Sequence, residues 1–120
     1  MKIAITAEQD NISSMLDPRF GRGKYFVIYN TDTDKIEKII NNNDNVEIQG
    51  GAGTSAAQKI ADEDAEAIIS GNFGPNASKG LNAFGIKMYS AEPDRLQNVI
   101  TRFKKGELTL VNEATVAGHH

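Results

Sequence analysis

Two hydrophobic periods alternate along the chain. Residues 2–7 (K-I-A-I-T-A) and 24–30 (K-Y-F-V-I-Y-N) are short apolar runs rich in β-branched and aromatic side chains, and both predict strands. Residues 35–40 (K-I-E-K-I-I) alternate charged and apolar side chains after the tight polar turn Thr31-Asp32-Thr33-Asp34, which predicts a third strand antiparallel to the second. The period then lengthens. Ala57, Ile60 and Ala61 share one face of a helix over 54–63, with Thr54 or Ser55 as its cap. Residues 66–70 (E-A-I-I-S) form a short apolar strand. Residues 75–84 predict a helix with Pro75 at its first position, Ala77, Leu81 and Phe84 on one face, and Gly85 as its stop. Residues 86–89 predict another strand. In a last helix near 93–105, Leu96, Val99, Ile100 and Phe103 fall at i, i+3, i+4 and i+7, Asp94 suits the positive start and Gly106 ends it. Residues 107–116 carry a weaker edge-strand pattern, E-L-T-L-V.

The order is therefore β-β-β-α-β-α-β-α in a single domain spanning 1–120, with 107–120 as a C-terminal tail or edge strand. Short connections make the first three strands a meander. The later strands join through helices, so right-handed crossovers make them parallel. By these rules and by analogy, the fold class is α/β: a ribonuclease H-like arrangement with a five-stranded mixed sheet in the order 3-2-1-4-5 and helices on both faces. The first, third and fourth strands then end on the same edge, and the loops 8–23, 41–53 and 71–74 open there. Ligands of open α/β sheets prefer crevices outside strand C-termini.

The residues at that edge suggest anion recognition. Gly51-Ala52-Gly53-Thr54 precedes the first helix and Gly71-Asn72-Phe73-Gly74 the second. Helix starts offer unpaired backbone N–H groups, and glycine lets a ligand approach them. Arg19 and Arg22 in the first loop can pair with anionic groups. Each feature also has a plainer reading. The G-x-G-x-x-A run at 51–56 follows a polar loop and three strands, not the first strand as a dinucleotide fingerprint should. Gly71 and Gly74 serve equally as turn residues, the arginines as solvated side chains, and Phe20 as a core plug. Asp10 and Asp17 suit turns as well as a cation.

Composition narrows the chemistry. The 120 residues contain no cysteine, and the only histidines are His119 and His120, which suit either a terminal metal contact or a tag remnant. Thiol catalysis, thiolate metal sites and a Ser-His-Asp triad are excluded. The first strand has no acid for a two-metal nuclease centre, and the run Asp62-Glu63-Asp64 reads as a solvated helix end. The net charge of −3 argues against general nucleic-acid binding. No run reaches the ~18 apolar residues of a membrane span, and the chain enters its first strand without a secretory h-region. A cytoplasmic, non-enzymatic protein is expected.

The run Asp17-Pro18-Arg19-Phe20-Gly21-Arg22 with Tyr25-Phe26-Val27-Ile28 resembles the dinitrogenase iron–molybdenum cofactor biosynthesis family. So do Gly51-Ala52-Gly53 with Ala56-Ala57, Ile68-Ile69-Ser70-Gly71, Gly74-Pro75-Asn76-Ala77, Leu81 and Gly85-Ile86-Lys87-Met88-Tyr89, a likeness reaching to about residue 103. The resemblance implies a three-layer α/β/α fold without nuclease activity and kinship with NifX, NafY and the C-terminal domain of NifB. It implies a carrier of an iron–sulfur or iron–molybdenum cofactor precursor, with metallocluster-assembly proteins as partners. Arg19, Phe20, Arg22, Gly51, Gly53, Thr54, Gly71 and Gly74 are then the expected cofactor-binding residues. The family's cluster carriers are thought to use histidine ligands as well. This chain has no internal histidine, which points instead to backbone amides and arginines. A small-molecule or phosphate-binding regulatory module is the alternative reading of the same edge.

Overall fold

The computed structural model describes residues 1–42 and 52–112, with 52–54 described by backbone alone. The elements are β1 (Lys2–Ala7), β2 (Tyr25–Asn30), β3 (Lys35–Asn41), α1 (Ala52–Asp62), β4 (Ala67–Ser70), α2 (Pro75–Ala83), β5 (Lys87–Ser90), α3 (Leu96–Lys104) and β6 (Thr109–Val111). They form one mixed sheet in the order β3-β2-β1-β4-β5-β6. The β1–β2 and β2–β3 pairs are antiparallel, and β1–β4 and β4–β5 are parallel. The expected order holds for five strands, but the sheet has six. After α3 the chain reverses, and β6 pairs antiparallel with the edge of β5 that would otherwise be open.

Strand alternation sends side chains to two separate cores. Ala4, Phe26, Ile28, Ile68 and Met88 face α1 and α2, where Ala56, Ala57, Ile60, Ala77 and Leu81 meet them. Ile3, Ile5, Val27, Ala67 and Ile69 face α3, where Leu96, Val99 and Ile100 meet them. Burial on both faces explains why β1 and β4 read as continuous apolar runs. β3 lies at the edge, and its exposed Lys35, Glu37 and Lys38 discourage further strand pairing. No helix among the described residues is long and apolar enough to cross a membrane.

Helix ends depart from expectation where tertiary contacts decide them. α1 begins at Ala52, so Thr54 and Ser55 lie within its first turn and do not cap it. α3 begins at Leu96, later than Pro93, because Arg95 is held extended (φ −64°, ψ 144°) and bridges Met15. The stops follow the sequence. Gly85 has φ +72°; its N–H reaches the Asn82 carbonyl at 3.1 Å, while Ile86 N–H reaches Leu81 at 2.9 Å. Those two bonds make a Schellman motif closed by Ile86 against Leu81 in the core. Gly106 (φ +73°) ends α3 the same way, through Phe103 at 3.0 Å and Glu107 N–H to Arg102 at 2.9 Å.

Three carboxylates are held below their ordinary pKa range. For Asp94 the largest cause is the Asn98 amide, followed by the Arg95 N–H, with the Arg102 guanidinium adding its charge. For Asp34 it is the hydrogen bond from Lys104, and for Glu37 that from Asn30. The folded state therefore binds fewer protons than the unfolded chain near those values. This stability is fully present above the ordinary carboxylate range and is lost as pH falls through it toward the depressed folded values.

Two outcomes test this architecture. Gly85→Ala forces an L side chain into the left-handed region and costs about 1 kcal/mol, read as a melting temperature several degrees lower. In denaturant titrations between pH 7 and pH 3, the midpoint falls on acidification. Asp94→Asn lowers it at pH 7 and flattens its pH dependence.

Candidate functional site

The C-terminal ends of β1, β3, β4 and β5 lie on one rim, as their directions require. α1 starts at this rim and runs to the opposite end, where Lys2 Nζ donates to the Glu63 carbonyl at 3.3 Å and Lys38 pairs with the Glu63 carboxylate at 2.8 Å. The starts of α1 and α2 therefore share the rim, as the topology predicts.

The 8–23 connection is fastened back over this rim. Ala7 bridges Leu16, and Asp17 N–H donates to the Thr6 carbonyl at 3.0 Å. The Thr6 hydroxyl donates to the Asp17 carbonyl at 2.5 Å and lies 3.1 Å from the Ser70 hydroxyl, which reaches the same carbonyl at 3.4 Å. Thr6 and Ser70 are fully buried; Ser70 ends β4 and Thr6 lies one residue before the end of β1, each after a run of buried apolar residues. Buried hydroxyls need partners, and the loop supplies one. Neither residue was among the expected site residues; a single polar residue closing an apolar strand is the signal that marks them.

From Asp17 the chain runs beside the segment after β4. Asn72 N–H donates to Pro18 at 2.8 Å and Phe20 N–H to Asn72 at 3.4 Å, so Arg19 bridges Asn72 in parallel. Arg19 thus sits at the same rim as Gly74, two residues beyond its partner. Asp17, 2% exposed, organises the turn: its carboxylate accepts the Arg19 N–H at 3.0 Å, Nε at 3.3 Å and Nη2 at 3.4 Å. The first contact is an Asx turn, the turn role foreseen for this aspartate. The others fix the base of a guanidinium whose side chain remains 61% exposed. Two of its side-chain N–H groups are engaged, out of five.

The expected site residues separate into groups. Phe20 is not at the surface. It is 1% exposed, with its ring centroid 5.5 Å from Phe26 and 5.6 Å from Phe73, so it is a plug in the α1–α2 core. Gly71 is a packing residue: a Cβ there would lie 2.8 Å from Pro18 Cα. Gly74 differs. Nothing lies within 4 Å of a built Cβ, its φ of −80° suits any residue, and it heads α2 without a side-chain cap. Gly53 and Thr54 lie inside the first turn of α1 at the same rim. Gly51 lies outside the described residues. Arg22 is half-buried in the fastened loop.

Asn42 closes the site on the β3 side. It is fully buried; its amide donates to the Gly23 carbonyl at 2.9 Å and accepts Lys59 Nζ at 2.9 Å. Its position in an asparagine-rich run had marked it only as loop. Among the described residues, no group of three or more His, Asp or Glu side chains is placed to hold a metal ion. What the rim offers is backbone N–H groups and a positioned guanidinium, a set suited to anions. A groove of about 680 Å³ lies elsewhere, along α3, and none of the expected site residues lines it.

Comparison with known proteins bears on the fold and the family. The orange protein from Desulfovibrio gigas, solved in an apo form, superposes with a TM-score of 0.91 at 30% identity, covering 96% of each chain. A candidate NifB protein from Thermotoga, solved by NMR, superposes with a TM-score of 0.83 at 30% identity, over 96% of this chain and 97% of that one. An uncharacterized protein of Methanocaldococcus jannaschii is 33% identical over 109 residues, which is 90% of this chain and 89% of that protein. A family profile described as dinitrogenase iron-molybdenum cofactor matches residues 1–106. The chain belongs to the dinitrogenase iron-molybdenum cofactor family.

Proposed function

We propose that the protein is a non-enzymatic carrier of an anionic iron–sulfur or iron–molybdenum cofactor, or of its precursor, held at the rim of strand C-termini and passed to metallocluster-assembly proteins. The observation that carries this reading is the bridge from Arg19 to Asn72, two residues before Gly74. The α2 start has open space at its first glycine and no side-chain cap. At the same rim is the Arg19 guanidinium, held by the buried Asp17 carboxylate, its side chain 61% exposed. A helix start and a guanidinium both favour negative charge. Sulfide-rich clusters and their organic acid groups present such charge at their surface, so this cargo can be held by hydrogen bonds without a ligating side chain.

The relatives support the cargo class. The family takes its description from the iron–molybdenum cofactor, and the orange protein, solved as an apo form, implies a loaded counterpart. Arg19 and the amides after Gly74 are assigned to grip the cargo, and Arg22, Gly53 and Thr54 to complete the rim. Asp17 is a positioning residue, which sets the direction of Arg19 without touching the cargo.

Anaerobic titration with isolated iron–molybdenum cofactor, followed by native mass spectrometry, tests the proposal. A one-to-one adduct is expected, with Arg19→Ala weakening it about tenfold, the value of one charge-assisted hydrogen bond. No adduct, or one indifferent to both Arg19→Ala and Arg22→Ala, overturns the carrier reading. A thermal shift with phosphorylated metabolites and none with the cluster would instead favour the phosphate-binding module. Asp17→Asn keeps the Asx turn but loosens the guanidinium. It is expected to cost about 1 kcal/mol of stability and to weaken the adduct less than Arg19→Ala does.

A further inference from the structure

The two faces of the sheet are covered unequally. α1 and α2 pack one face, whereas α3 alone packs the other. On that second face, a groove of about 680 Å³ runs between α3 and the start of β3, lined also by Tyr29 of β2. Its volume falls in the range of small-molecule sites, about 300–1,000 Å³. The floor is apolar: Ile12, Ile36, Ile100 and the ring of Tyr29. The α3 wall presents Gln97, Ile100, Thr101 and Lys104, a single stripe about 10 Å long at 1.5 Å per residue.

One end of the groove is polar and carries a net positive charge. Asp34 accepts from Lys104 Nζ at 2.7 Å and from the Tyr29 hydroxyl at 3.2 Å. Lys35, next along the chain, also lines the groove, and its ammonium enters no ion pair among the described residues. Two lysines and one aspartate thus line this end of a groove about 10 Å long, whose floor is apolar.

We propose that this groove is a second binding site, separate from the rim, for an organic anion with an apolar body about 10 Å long, the body lying on Ile36 and Ile100 and the acid group meeting Lys35. Charge complementarity selects this occupant. A neutral apolar molecule leaves Lys35 uncompensated, and a cation meets two like charges.

Octanoate, octanol and octylammonium, titrated separately into isotopically labelled protein and followed by NMR, test the assignment. Octanoate is expected to shift the Ile36 and Ile100 signals saturably, ahead of octanol, with octylammonium weakest. Lys35→Ala weakens octanoate about fivefold, as for an exposed ion pair. Asp34→Asn, which retains the left-handed backbone at φ +56°, removes the competing carboxylate and tightens it. Arg19→Ala leaves octanoate binding unchanged, so failure here and failure of the rim proposal are read apart. Four results would sink the proposal: no saturable shift, shifts confined to other parts of the molecule, equal affinity for the ammonium compound, or indifference to both Lys35→Ala and Asp34→Asn.

Discussion

The hydroxyls of Thr6 and Ser70, buried at the ends of adjacent parallel strands, converge on the carbonyl of Asp17. Left without a partner, each would carry a desolvation penalty of about 1–3 kcal/mol. The sheet therefore demands an acceptor at that point, and the 8–23 connection is the segment that provides it. Once the Asp17 backbone is fixed there, its carboxylate has little freedom. It turns onto the Arg19 N–H and guanidinium, Pro18 settles against the bare α-carbon of Gly71, and Phe20 drops between Phe26 and Phe73. A sixteen-residue connection would ordinarily be a mobile surface loop. Here hydroxyl, carboxylate and aromatic contacts tie it to the rim.

This fastening assigns different work to glycines that look alike in sequence. Gly71 lacks a side chain because another backbone occupies the space, and Ser90 Oγ, donating to the Gly71 carbonyl at 3.0 Å, holds that approach from the β5 side. Gly74 has neither a neighbour nor an unusual backbone angle to explain it. Internal packing accounts for the first and leaves the second unexplained. Its place is the N-cap of α2, a position that glycine suits and that leaves the helix start uncovered by a side chain.

Most of the fold was legible because each element carried its own period and its own stop. Gly85 and Gly106 end α2 and α3 where the sequence places them, since a left-handed residue is a local requirement. What escaped was set by contacts between distant residues. Arg95 stays extended because Met15 bridges it, which delays α3. β6 lies within the 107–116 segment whose weak pattern suggested an edge strand, but its pairing with β5 was left out of the expected five-strand order. At the site, the common rim followed from strand direction alone. The roles of Thr6, Ser70 and Asn42 did not, because a buried hydroxyl or amide is identified by its partner, and those partners lie eleven to fifty-three residues away along the chain. Phe20 shows the converse: its place in a recognisable motif suggested ligand contact, while its size and aromatic neighbours put it in the core.

The unequal covering of the sheet gives the rim and the α3 groove different physical characters. At the rim, the groups on offer are fixed dipoles and a guanidinium held by a buried carboxylate, so the proposed binding of an anion would need little reorganisation. In the groove the charged groups are exposed, and the Asp34–Lys104 pair is solvent-screened. Affinity there must come mainly from apolar area on Ile12, Ile36 and Ile100, with charge choosing the sign of the occupant. The sheet separates the α1–α2 core from the α3 core, and among the described residues the rim loop is a connection that touches both, through Phe20 on one side and Leu16 and Ile12 on the other. The Asp17 anchor lies between those side chains in sequence, so the hydrogen bonds that fix the loop to the rim also fix how it enters each core.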